Sequence, residues 1–297
     1  MLRWLLRRLP GVSDAARRTV QQWTFEDPRL VAKFYPYRPD DRSYLLPKAV
    51  PRPAGAALPI PPRDLWLGYA DSPEEYLESG ERRVRLMKQV VAASNFSIED
   101  GVRLLDFGCA SGIMLRWFER VAVTGEAWGV DIAGSAMQWC QQFLSPPFKF
   151  ATTSSFPHLP FEDRYFGFIY AGSVFTHIAD LAETWLLELR RILAPGGILF
   201  LTIHDNDFID SVLAAPSPRR QMLADMLRTY DRESHFTTSG FSMFAINRIP
   251  GPGMQGQAQV FYDADYIRRH WGNYFSVLSI VPNALQGLQA GVVLRKP

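Results

Sequence analysis

The chain has 297 residues, 47% of them hydrophobic, enough to bury one full α/β core with appendages. Its 32 basic and 30 acidic residues leave a formal net charge of +2, which gives no global drive toward nucleic acid. Two cysteines, Cys109 and Cys140, exclude a disulfide framework and point to a reducing cytoplasm, and no apolar run reaches the ~18 residues of a membrane-spanning helix.

The first ten residues, Met1 to Pro10, mix leucine, tryptophan and arginine at near-helical spacing without a signal-peptide cleavage site. Residues 1–20 read either as a basic amphipathic helix in peripheral contact with an anionic membrane or as a helix lying on the domain. From Pro28 to Pro62, prolines close most helical options. That stretch reads as an extended arm or a linker, with Phe34, Tyr35, Tyr37 and Tyr44 as anchors. Asp71-Ser72-Pro73-Glu74 then places a cap, a first-turn proline and acids at the start of a helix predicted over Glu74–Ala93. The boundary between an N-terminal extension, 1–70, and the main domain, 71–297, is set there.

Strands are predicted at Arg103–Phe107, Ala127–Ile132, Phe148–Ala151, Gly167–Ala171 and Ile198–Ile203. The helices between them are Ile113–Val121, Ser135–Leu144 and Leu181–Leu193. This alternation predicts a parallel sheet with right-handed crossovers. Past His204 the pattern loosens into an insertion, about 205–262, with one clear helix near Arg219–Arg232; its position predicts a lid or acceptor-binding element. A helix at Asp263–Trp271 and two terminal strands, Tyr274–Ile280 and Ala290–Arg295, complete the chain.

The most telling stretch runs from Leu104 to Leu115. A short apolar strand ends in Asp106 and passes through a loop bounded by Gly108 and Gly112. Such a loop presents backbone N–H groups and one carboxylate at a strand's carboxyl end. About twenty residues past Gly112, a second strand ends in Asp131, at the distance where an acid accepts hydrogen bonds from ribose hydroxyls. In a dinucleotide loop, G-x-G-x-x-G receives a pyrophosphate. Here Ala110 takes the second glycine position, and Asp106 would repel a pyrophosphate but suits an ammonium or sulfonium group. The implied ligand is a nucleoside with a cationic amino-acid tail, which S-adenosyl-L-methionine fits and a nicotinamide dinucleotide does not.

Further pieces follow in order: Trp128-Gly129-Val130-Asp131-Ile132, Leu159-Pro160-Phe161-Glu162-Asp163, Phe166-Gly167-Phe168-Ile169-Tyr170, Ser173-Val174-Phe175-Thr176-His177 and Leu189 to Gly197. Together with Leu104 to Gly112, their order and spacing resemble the class I S-adenosylmethionine-dependent methyltransferases, over roughly Gly101 to His204 and more weakly through the C-terminal strands. The resemblance implies a doubly wound, mostly parallel seven-stranded sheet of α/β class (a Rossmann-like methyltransferase fold) with an antiparallel C-terminal edge hairpin. It also implies S-adenosyl-L-methionine as cofactor, contacted by Asp106, Gly108, Cys109, Ala110, Gly112, Asp131, Ile132 and Ser173, with Tyr76 and Gly80 before the first strand as further contributors; for Tyr76, core packing is the favoured alternative. Three departures are visible: Ala110 for a glycine, Gly167 for an aspartate, and Thr152-Thr153-Ser154-Ser155 where the family often has an acid facing adenine. Adenine recognition then falls to a hydroxyl such as Ser154, to backbone, or to packing against Phe156.

A sulfonium methyl group arrives activated, so alignment and exclusion of water carry most of the acceleration. An oxygen acceptor also gains from a base of near-neutral pKa. His204, with Asp205 to hold it, and His177 are the candidate bases, both expected at one crevice. The alternative for each is a strand cap bonded to backbone. The acids near His204 lack the second ligand cluster that a metal site needs. The predicted acceptor is a small molecule or a sugar within a glycan, methylated at a hydroxyl oxygen; the sugar reading rests on loose similarity of Asp263–Lys296 to methyltransferases of surface-polysaccharide pathways. No nucleic-acid partner is expected. The competing reading is a non-catalytic S-adenosylmethionine-binding module.

Overall fold

A computed structural model describes residues 49–229, 243–246 and 258–297, apart from Ala54, Asp100, Asp180, Pro216, Pro218, Arg219, Gln286 and Gly287. The helix expected within residues 1–20 and the aromatic anchors at 34–44 lie outside these residues.

Seven strands form one sheet in the order β3-β2-β1-β4-β5-β9-β8. They are β1 (Arg103–Phe107), β2 (Glu126–Asp131), β3 (Lys149–Thr152), β4 (Phe166–Ala171), β5 (Leu193–Ile203), β8 (Ser276–Leu285) and β9 (Gln289–Arg295). β1 to β5 run parallel, whereas β9 is antiparallel to both β5 and β8. The central strands are apolar on both faces, as a sheet covered by helices on both sides requires. One face buries Leu104, Phe168, Tyr170 and Phe200 against α1 (Pro73–Ala92) and α3 (Gly134–Phe143). The other buries Leu105, Ile169, Leu199 and Leu201 against α4 (Ala182–Ile192) and α7 (Ala264–His270).

The helix ends follow local chemistry. Ser72 Oγ accepts the Glu75 amide at 3.2 Å with Pro73 in the first turn, so α1 starts one residue before the expected position. At the far end of α4, the buried ammonium of Lys296 donates to the carbonyls of Arg190 and Leu193 at 2.7 and 2.6 Å, satisfying acceptors that the helix leaves open.

From residue 49 onward, the proline-rich stretch is an arm laid on the domain. Val50 N donates to Gln142 O, and Arg52 pairs with Glu119. The Arg116 guanidinium donates to the carbonyls of Leu58 and Pro59, and Ser111 Oγ to that of Leu65.

β5 starts five residues before the expected Ile198 and β8 runs five past the expected Ile280, and two regions differ more from the sequence reading. In place of one helix over Ile113–Val121, the chain makes turns, a 3₁₀ segment (Leu115–Phe118) and then α2 (Glu119–Thr124). Gly112, at φ +79°, holds the backbone out of the α region and delays the first full turn. The insertion holds more than one helix: α5 (Asn206–Ala214), α6 (Gln221–Arg228), and a hairpin of β6 (Met243–Ile246) with β7 (Gln259–Tyr262).

Candidate functional site

The site lies along the carboxyl ends of the parallel strands. At β1 the chain turns through Gly108, at φ +81°, where an added Cβ would collide with Val174 Cγ2. The amides of Gly108 and Cys109 both donate to Val130 O, which seats the loop on β2. Ala110 is itself left-handed, at φ +48°, and donates its amide to Asp131 Oδ2 at 2.7 Å. Asp131 Oδ1 accepts the Ala133 amide at 2.8 Å. A carboxylate accepts about four hydrogen bonds, so roughly two sites remain for a ligand's hydroxyls. Gly112 closes the loop against α3, where a Cβ would stand 2.9 Å from Leu144 Cδ1. Cys109 contributes its backbone; its thiol is buried beside Met137, and burial raises its pKa.

Asp106 is 3% exposed and accepts the Tyr170 hydroxyl at 2.7 Å. Burial pushes its pKa up to about 8; Tyr170 opposes the shift and the nearby Asp131 charge adds to it. Among the described residues no cation pairs with it. A buried acid lacking a cation, beside a second acid with free lone pairs, fits the charged tail and ribose of S-adenosylmethionine.

Tyr69 from the arm lies close enough to Asp106 and Asp131 to feel both charges, and the buried Arg83 guanidinium sits 4.5 Å over its ring. Neither residue has a local sequence signal; the arm and α1 bring them to the site. Tyr76 supports the loop from below, with its hydroxyl 3.0 Å from Ser111 Oγ, and Gly80 packs on the Ile113 carbonyl. At the adjacent tips of β2 and β3, Ile132 and Phe156 are 55% and 63% exposed, bare apolar surfaces of the kind that cover a purine. Ser154 Oγ accepts the Phe156 amide in a local turn.

The other half of the crevice is built around the tips of β4 and β5. Ser173, at φ +58°, donates its amide to Thr202 Oγ1 at 2.7 Å. Both hydroxyls then donate to Gln289 Oε1, at 2.9 and 2.7 Å. That orients Gln289 so that its Nε2 faces His204 Nε2 at 3.4 Å. Ser173 is thus tied into this network rather than into the glycine loop. β7 bridges the two tips: Val260 N donates to Thr176 O and Tyr262 N to His204 O.

His177 and His204 lie near enough that each charge would act on the other. His177 Nδ1 is 2.9 Å from the Ala258 carbonyl, and burial lowers its pKa. His204 is 4% exposed and stacked on Phe208 at 3.8 Å; burial holds it well below the ordinary histidine range. Asp205 does not hold His204. Its Oδ1 accepts the Phe208 amide at 3.0 Å and caps α5, which corrects the expected pairing: an Asx residue before a helix is drawn to the free amides of the first turn. Among the described residues no group of three or more His, Cys, Asp or Glu side chains is placed to hold a metal ion.

A sheet of this order, with acids at the tips of β1 and β2 around a left-handed loop, defines a class I methyltransferase. Residues 76–249 match the family model described as a methyltransferase domain, and the chain belongs to that family. Its cofactor is S-adenosyl-L-methionine. The chain is similar to a sterol 24-C-methyltransferase of Gibberella zeae, 33% identical over 147 residues, covering 46% of this chain and 37% of the relative. It is also similar to a 2-phytyl-1,4-naphtoquinone methyltransferase of Trichormus variabilis, 28% identical over 132 residues, covering 42% and 56%. The chain thus spans well under two thirds of either curated relative. A crystal structure of a Pyrococcus horikoshii protein shares the fold at TM-score 0.51 and 16% identity, covering 77% of this chain and 95% of that one. No helix among the described residues is long and apolar enough to cross a membrane.

Proposed function

We propose that the protein methylates a hydroxyl oxygen of a small molecule or of a sugar within a glycan, with His177 as general base. S-adenosylmethionine supplies a methyl group already activated on a positive sulfur. The chain's own task is to align the acceptor, exclude water and take up the hydroxyl proton.

The observation that carries the oxygen reading is the tautomer of His177. A carbonyl only accepts, so the 2.9 Å contact to Ala258 O, much shorter than the 3.4 Å approach of Gln259 Nε2 to the same nitrogen, places the proton on Nδ1 and leaves Nε2 as a lone pair. No described residue engages that nitrogen. His204 is the weaker base, since its Nε2 lone pair faces the Gln289 amide. The names of the two relatives, sterol and naphthoquinone enzymes, support a small-molecule acceptor, and the near-zero net charge agrees.

The test pairs calorimetry with turnover. S-adenosylhomocysteine should bind both the wild type and His177→Ala with unchanged affinity, whereas turnover on the acceptor at pH 7 should fall about 10²- to 10⁴-fold in the variant. Because His177 titrates below its ordinary value, wild-type turnover should stay level down to pH 6.5 and decline only below it. Near-normal turnover in His177→Ala would remove the base and leave alignment alone.

A further inference from the structure

The described residues hold eight buried side-chain polar atoms without a hydrogen-bond partner, and three of them, Thr176 Oγ1, His204 Nδ1 and the acceptor Asn206 Oδ1, belong to residues in the segments that leave the tips of β4 and β5. Buried polar atoms are nearly always satisfied, so such a group marks a place where a polar ligand belongs. The chemistry of the ligand follows from His204. Gln289 Oε1 receives two hydroxyl donors, which leaves only its amide N–H groups to meet His204 Nε2. Nε2 is therefore the acceptor nitrogen and Nδ1 carries the proton: an unanswered donor on a side chain 4% exposed.

A second observation has the same sign. Arg220, at the N-terminus of α6, is half-buried, with its guanidinium 5.7 Å from the centre of the Phe208 ring on which His204 stacks. No described residue forms an ion pair with it. Asp205, just before α5, is engaged as the helix cap. A desolvated guanidinium and a buried N–H donor beside one aromatic ring together lack an acceptor with negative charge.

We propose that the tips of β4 and β5 and the start of α6 form a subsite for an anionic oxygen group, carboxylate or phosphate, carried by the methyl acceptor. His204 Nδ1–H and Arg220 bind it, and Gln289 is a positioning residue that sets the His204 tautomer. The subsite rests on the methyltransferase reading above and narrows its acceptor from any hydroxyl compound to one bearing such a group.

The experiment uses the full chain labelled with ¹⁵N-histidine, with and without S-adenosylhomocysteine, titrated with acetate, with inorganic phosphate and, for ionic strength, with chloride. The expected result is a saturable shift of the His204 Nδ1–H resonance with acetate or phosphate and none with chloride; whichever anion binds more tightly identifies the group. Arg220→Gln should weaken that binding by about tenfold or more, as loss of a charge-assisted contact requires. Gln289→Glu, which offers only acceptors to Nε2, should move the His204 proton to Nε2 and abolish the response. A Nδ1–H that ignores acetate and phosphate alike, or that responds equally in Arg220→Gln, overturns the subsite. S-adenosylhomocysteine binding, read in the same samples, reports separately on the methyltransferase reading.

Discussion

On the β1–β2 side of the crevice, the glycine loop and the acid beside it come from one short run of chain: the bond from Ala110 to Asp131 spans 21 residues. On the β4–β5 side, Ser173 meets Gln289 across 116 residues, Thr202 meets it across 87, and Gln259 approaches His177 across 82. The first half is assembled by two adjacent crossovers, the second by closure of the whole chain. With the roles proposed above, the cofactor is held mainly by local structure, while the acceptor meets groups that β9 and the insertion deliver from afar.

The contrast can be broken first at Asp131. Asp131→Ala should weaken S-adenosylhomocysteine by roughly 100-fold, the loss of about 3 kcal/mol of hydrogen bonds to a charged group, and calorimetry measures it. Equal affinity would mean that the ribose sits elsewhere.

A second effect is expected at Asp106. Its folded pKa of about 8 lies far above the ~3.9 of an unfolded aspartate, so the native state holds the extra proton between these values and stability falls as pH rises through that window. Asp106→Asn should therefore gain melting temperature over the wild type as pH rises from 5 to 8. In the wild type at pH 7, binding of S-adenosylmethionine should release a proton, seen as binding heats that differ between phosphate and Tris buffers; heats that agree would place the cationic tail away from this acid.

The smallest effect sharpens the local half. Ala110 holds a left-handed backbone that disfavours a side chain, so Ala110→Gly should stabilise the protein by about 1 kcal/mol, or ~2 °C in melting temperature.

The same contrast decides what the sequence discloses. β1 is predicted with its observed bounds, and β2, β3 and β4 to within a residue at either end, because period and punctuation are local. The loop and Asp131 are legible for the same reason. Tyr69, Arg83, Tyr170 and Gln289 carry no mark in their own neighbourhoods; only packing brings them to the site. Asp205 carries a legible signal, since an aspartate three residues before Phe208 suits a helix cap, and its place beside His204 in sequence competes with that signal. The first turns after Gly112 carry a helix's apolar spacing without being one, because that spacing is blind to a left-handed glycine.

The arm bears on how the protein is cut. A fragment drawn at the limits of the family match, residues 76–249, omits Leu58, Pro59 and Leu65 along with β7, β8 and β9. Arg116, 6% exposed, would keep its charge while losing both carbonyl acceptors, and Ser111 would lose the anchor that steadies the glycine loop. The smallest piece that preserves the cofactor cradle therefore begins upstream of residue 58, well before the first helix that a domain search would find.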